Sequence, residues 1–208
     1  MKEKKKIIVS LILFVVALIY TILVKNIDLA QIGPNGSIVG FSKMNSLISN
    51  YIGVNMIWYK ITNFIGLISA FLVIYYVLIG IKQFIKEKKV DDKIIILGIF
   101  YIVFAIVYLF FEKVIINYRP TLINGELEAS YPSSHTLLAI CICGSSIIMS
   151  KYYINSSKAR KVINILTYIL MFTIIVGRIL SGVHWASDII GGVLIGLFLL
   201  VTFKNLIE

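Results

Sequence analysis

Apolar positions along this chain fall into six nearly continuous runs, at residues 7–24, 61–81, 94–111, roughly 134–149, 162–179 and 189–203, separated by short polar segments. A hydrocarbon core about 30 Å thick takes about 20 apolar residues of helix, fewer where the bilayer thins or polar ends snorkel. Each run is therefore predicted to cross a membrane as a helix. The runs are continuous rather than alternating, and an open sheet edge cannot be satisfied in lipid, so strands are excluded. The predicted fold class is all-α: a polytopic membrane protein with six transmembrane helices forming a single domain over 1–208.

The longest polar connection, residues 25–60, holds the turn signal Gly33-Pro34-Asn35-Gly36 and then a mixed stretch, 38–58, that suits a short amphipathic helix on the outer interface. Tyr51, Trp58 and Tyr59 would sit in its headgroup belt. The first run follows a basic start, as a signal peptide would. Its length and its lack of a small-residue cleavage pattern favour a retained helix. Cys141 and Cys143, two apart on a helix, lie on different faces and are expected to be inert core thiols. Gly192 and Gly196 are expected to permit close helix packing.

Composition agrees: 59% hydrophobic and 14% charged residues in 208 exclude an ordinary soluble domain. Charge then sets a direction. Segments 1–6, 82–93, 150–161 and 204–208 hold 14 of the 20 Lys and Arg residues, leaving Lys25, Lys43, Lys60, Lys113, Arg119 and Arg178 on the other side with half of the ten acids. The positive-inside rule places both termini in the cytoplasm of a multi-pass cell-membrane protein. The net charge of +10 is mostly that bias and implies no nucleic-acid partner.

Three polar clusters remain: Tyr118-Arg119-Pro120, Tyr131-Pro132-Ser133-Ser134-His135, and Arg178 followed by His184 and Asp188. All fall at helix ends on the extracytoplasmic side. Two arginines offer planar forks for phosphate or carboxylate oxygens. Pro132 suits a helix start, leaving the amides of Ser133, Ser134 and His135 as an anion cradle at the positive end of the dipole. His184 and Asp188 are four apart, so on one helical face the carboxylate would orient the ring and leave the other nitrogen to attack. His135, from another helix, is available as acid and base. Singly, each residue is as easily a solvated interfacial group or a snorkelling arginine. A structural role gives no reason for two His, one Asp and two Arg to share one face. A transporter or scramblase would instead want ionisable groups at mid-membrane, where the runs are almost free of them. A hydrolase using His135, His184 and Asp188 as metal ligands would set two arginines beside a dication.

These residues carry a resemblance to the type 2 phosphatidic acid phosphatase (PAP2) superfamily, membrane lipid phosphatases that share a site with vanadium haloperoxidases. The family signature is a Lys, six residues and Arg-Pro; Pro-Ser-Gly-His; then Ser-Arg, five residues, His, three residues and Asp. This chain has Arg119-Pro120, Pro132-Ser133-Ser134-His135, and Arg178, five residues, His184, three residues, Asp188. Glu112 stands at the lysine position with Lys113 beside it, Ser134 replaces glycine, and Gly177 replaces serine. The resemblance implies a phosphatase in which His184 is the nucleophile, Asp188 its orienter and His135 the acid and base. Arg119, Arg178, Ser133 and Ser134 would bind the phosphoryl oxygens, with no metal or organic cofactor. The substrate would be a bilayer lipid phosphate: undecaprenyl diphosphate, phosphatidylglycerol phosphate and phosphatidic acid all fit. The compact six-helix form and the Lys-, Ile- and Asn-rich usage look bacterial, and polyprenyl-carrier recycling is a common task of bacterial members, which favours undecaprenyl diphosphate.

Overall fold

The computed structural model describes residues 2–208. Seven helices build it: α1 (Lys2–Asn26), α2 (Ser42–Ile52), α3 (Met56–Glu87), α4 (Asp92–Lys113), α5 (Ser134–Tyr153), α6 (Ser157–Ser181) and α7 (Ala186–Ile207). All but α2 are long and apolar enough to span a membrane, and every run predicted from sequence falls inside one of them. The helices outlast the runs, most in α3, because hydropathy marks the lipid-facing portion whereas the helix continues to its caps. The Asn55 side chain accepts from the amides of Ile57 and Trp58 at the start of α3, and Ser156 caps α6 through Ala159 N.

Helix α5 is the axis of the bundle. Two-thirds of its most apolar stretch is buried (67%), against 11% for α1 and α4. It contains a π-helical turn, Ala139–Cys143, in which every residue is buried, and both cysteines are free thiols. Small residues bring α7 against it. A Cβ on Gly192 would lie 3.0 Å from the Ser133 carbonyl oxygen and Thr136 Cβ, and one on Gly196 would lie 2.9 Å from Ile140. Below, Phe100 of α4 stacks on Phe203 of α7 with ring centroids 4.7 Å apart. The outer faces of α1, α3, α4 and α6 carry exposed Ile, Leu and Phe along their length, including Phe64, Leu67, Phe71 and Phe172. Such a surface suits lipid, not water.

The end of the bundle holding the starts of α5 and α7 is elaborated. Helix α2, anticipated as a short interfacial helix, also plugs into the core there. Its buried Asn45 donates to Ser187 Oγ (2.9 Å) and accepts from Ser187 N (3.1 Å). Residues 114–133 double back on themselves through isolated bridges at Tyr118–Ala129 and Ile123–Glu126, with Asn124 and Gly125 both at positive φ. At the end of α6, Gly182 (φ +62°) lets the chain turn where a Cβ would strike the Gly53 carbonyl oxygen at 1.8 Å.

Candidate active site

Four segments converge at this end: the 114–133 loop, the start of α5, the end of α6 and the 182–185 turn into α7. His184 lies just before α7, whose N-cap is Trp185, and is 6% exposed. Asp188, in the first turn of α7, is fully buried and richly bonded. Its Oδ2 accepts from Trp185 N (2.9 Å) and Ser130 Oγ (2.5 Å), and its Oδ1 from Asn117 Nδ2 (3.3 Å). It therefore caps its own helix while facing the histidine.

The expected direct hydrogen bond between His184 and Asp188 is not made. Because His184 precedes the helix rather than sharing a helical face with Asp188, its Nδ1 stands 3.8 Å from Asp188 Oδ2. Ser130 fills the gap, its Oγ 3.1 Å from His184 Nδ1 and 2.5 Å from Asp188 Oδ2. Sequence reasoning missed Ser130 and Asn117. The available signal was Asn124-Gly125, the strongest short-range hairpin signal. It folds the loop so that Ser130 N donates to Asn117 O at 2.9 Å.

On the other ring nitrogen, Arg119 Nη1 donates to His184 Nε2 (3.2 Å) and also to Val183 O (3.4 Å). Glu128 Oε2 lies 3.0 Å from Arg119 Nε, but that N–H does not point along the contact and finds no hydrogen-bond acceptor. Arg178 is wholly buried. It donates through Nη2 to Asn63 Oδ1 and lies over the Tyr59 ring, 5.0 Å from its centroid. Its Nε and Nη1 have no acceptor. Burial first, then Arg119 and Arg178, hold the His184 imidazole well below the usual histidine range. The ring is thus neutral near pH 7, as a nucleophile or an acceptor must be.

The helix cradle differs from expectation at one residue. The Ser133 amide is spent on the Asp188 carbonyl (3.0 Å), and its hydroxyl accepts from Thr136 Oγ1 (3.1 Å), because α7 packs directly on the start of α5. The amides of Ser134 and His135 remain as first-turn donors. Ser134, Arg119, Ser130 and His184 line one cleft with Tyr108 and Glu112 of α4. Lys113 does not line that cleft: α4 runs regularly to its end, with no bulge to bring the lysine round. The acidic residue at the expected lysine position thus faces the cleft itself. His135 packs against α3, where a Cβ on Gly66 would lie 3.0 Å from its ring. Gly177 has a steric reason to lack a side chain, since a Cβ there would lie 2.5 Å from Thr62 Cγ2. Among the described residues, no three His, Cys, Asp or Glu side chains form a metal-ligating group.

An all-helical, six-span bundle with a buried histidine in contact with Arg119 and within the field of Arg178 has the make-up of a membrane-embedded enzyme acting on an anionic group. The comparisons make the class specific: the PAP2 superfamily profile matches residues 100–208, and the chain belongs to that superfamily. It is a hydrolase acting on lipid phosphates. Among curated proteins it is similar to phosphatidylglycerophosphatase B of Bacillus subtilis (strain 168), 27% identical over 143 residues, 67% of this chain and 70% of the relative. Among solved structures it shares its fold with a transmembrane PAP2-type phosphatidylglycerolphosphate phosphatase from Bacillus subtilis. That match has a TM-score of 0.63 and 22% identity, and covers 96% of each chain.

Proposed function

We propose that the chain removes phosphate from a membrane lipid through a phosphohistidine on His184, at a site on the extracytoplasmic face. The observation that carries this reading is the buried Arg178, whose Nε and Nη1 lack acceptors beside a histidine already neutralised by burial. A desolvated guanidinium with idle donors is costly unless an anion completes it. A phosphoryl group would take those donors, the fork of Arg119 and the amides of Ser134 and His135, displacing the Arg119–His184 contact.

The chemistry then follows from the residues. Nε2 of His184 attacks phosphorus; the P–N bond forms as the bond to the lipid oxygen breaks, and His135 gives that oxygen its proton. Water next attacks the phosphohistidine, His135 takes the water's proton, the P–N bond breaks and inorganic phosphate leaves. The arginines act where negative charge gathers on the equatorial oxygens. Similarity to phosphatidylglycerophosphatase B makes phosphatidylglycerol phosphate the first substrate to test, ahead of phosphatidic acid and undecaprenyl diphosphate. The deciding assay is phosphate release by the purified protein in detergent, with excess chelator, from all three lipids. Release from at least one is expected, and release from none overturns the reading.

A further inference from the structure

We propose that Ser130 is the positioning residue for His184, bridging it to Asp188 and fixing the imidazole as the Nδ1–H tautomer with Nε2 bare. The inference rests on the reading of His184 as the nucleophile, but its geometry stands apart from any substrate.

Two independent ends of the network agree on where the proton lies. Asp188 Oδ2 already accepts from the Trp185 amide at 2.9 Å and, as a carboxylate, can only accept. The Ser130 hydroxyl, 2.5 Å away, must therefore turn its hydrogen to Asp188. What it offers His184 Nδ1 at 3.1 Å is a lone pair, so Nδ1 carries the hydrogen. At the far side, Arg119 Nη1 lies 3.2 Å from Nε2; a guanidinium has donors and no acceptor, so Nε2 must be bare. The 3.8 Å gap between Nδ1 and Asp188 is too long for the carboxylate to do this itself.

Ser130 is 2% exposed and its own amide is held by Asn117 O at 2.9 Å. Asn117 in turn donates to Asp188 and Ser187 and accepts from Gly40 N. The serine is thus placed from both sides rather than resting in the gap by chance. When Nε2 bonds to phosphorus the ring becomes cationic, and the fixed Nδ1–H to Ser130 to Asp188 chain passes the carboxylate's stabilisation to it. No proton changes owner along the chain.

The test uses the full-length protein in detergent, labelled with ¹⁵N-histidine. With two histidines in the sequence, a His135→Gln sample assigns the signals. Long-range ¹⁵N–¹H correlations should report His184 as Nδ1–H, and a predominantly Nε2–H ring overturns the proposal even if no variant folds. Ser130→Ala, which leaves Arg119 alone to hold the ring, should lower kcat roughly 10- to 100-fold with KM little changed. Ser130→Thr, which keeps a hydroxyl, should restore most of kcat. An unchanged kcat in Ser130→Ala, or a threonine variant no better than alanine, also overturns it. Wild-type protein with the expected tautomer but no phosphate release from any lipid would sink the phosphatase reading and leave the role of Ser130 standing.

Discussion

In the proposed mechanism His184 must stay neutral and keep one nitrogen bare, and burial beside Arg119 and Arg178 meets the first demand. An ordinary imidazole is about three-quarters protonated at pH 6. Because the shift is downward, the neutral form persists as pH falls, so the His184 ring should still give neutral ¹⁵N shifts at pH 6. A midpoint at or above 6.5 would contradict this. Arg178 meets a different demand, aiming two unpartnered N–H groups while Asn63 and Tyr59 hold the rest of its fork. Arg178→Lys keeps the charge and loses the planar fork. Turnover and vanadate affinity should therefore fall together, and unchanged values for both would remove the arginine from the phosphate site. Arg119, Arg178, His135, His184 and Asp188 stood out in the sequence because charged or titratable groups are rare in so apolar a chain. Ser130, Asn63 and Asn117 did not, because uncharged polar residues in loops and outer helical turns are commonplace and their partners lie 54 to 115 residues away.

At the scale of elements, all six spans were legible because lipid demands an uninterrupted apolar surface, and that demand is written locally. Their ends were less so: α3 runs from Met56 to Glu87, past both edges of its apolar run, held by a side-chain cap rather than by hydropathy. Contacts between helices were partly legible through glycine. Gly192 and Gly196 stood out, but Gly191 is the tightest of the three, since a Cβ there would lie 2.3 Å from Cε2 of Tyr131. That ring cannot yield easily: its hydroxyl is 2.7 Å from Thr21 Oγ1 and Phe111 packs against its side. Gly191→Ala should therefore destabilise by about 1–3 kcal/mol through overpacking, seen as a lower Tm in detergent. Gly98, also inside a helix but with open space around it, is the control. Gly98→Ala should be neutral or gain up to about 1 kcal/mol from helix propensity. Equal responses at the two positions would mean that α7 is not close-packed against Tyr131.

For the whole molecule, every segment of the site lies at one end of the bundle, the end whose connections hold six of the 20 basic residues. The proposed extracytoplasmic site rests on that asymmetry through the positive-inside rule, and sidedness labelling tests it. The buried Cys141 and Cys143 can be replaced so that single probes report sidedness. An impermeant thiol reagent on intact cells should label Asn124→Cys and spare Ser156→Cys, and the reverse would invert the topology. The most direct test of the account is to quench the purified protein during turnover of a lipid carrying ³²P in its terminal phosphate and locate the label. Wild-type protein should hold an acid-labile, base-stable phosphate on His184. His135→Ala should form and lose it more slowly, by about 10² to 10⁴ fold, and His184→Ala should hold none. Label retained by the His184→Ala protein, or steady phosphate release by the wild type with no phosphohistidine formed, would contradict the account.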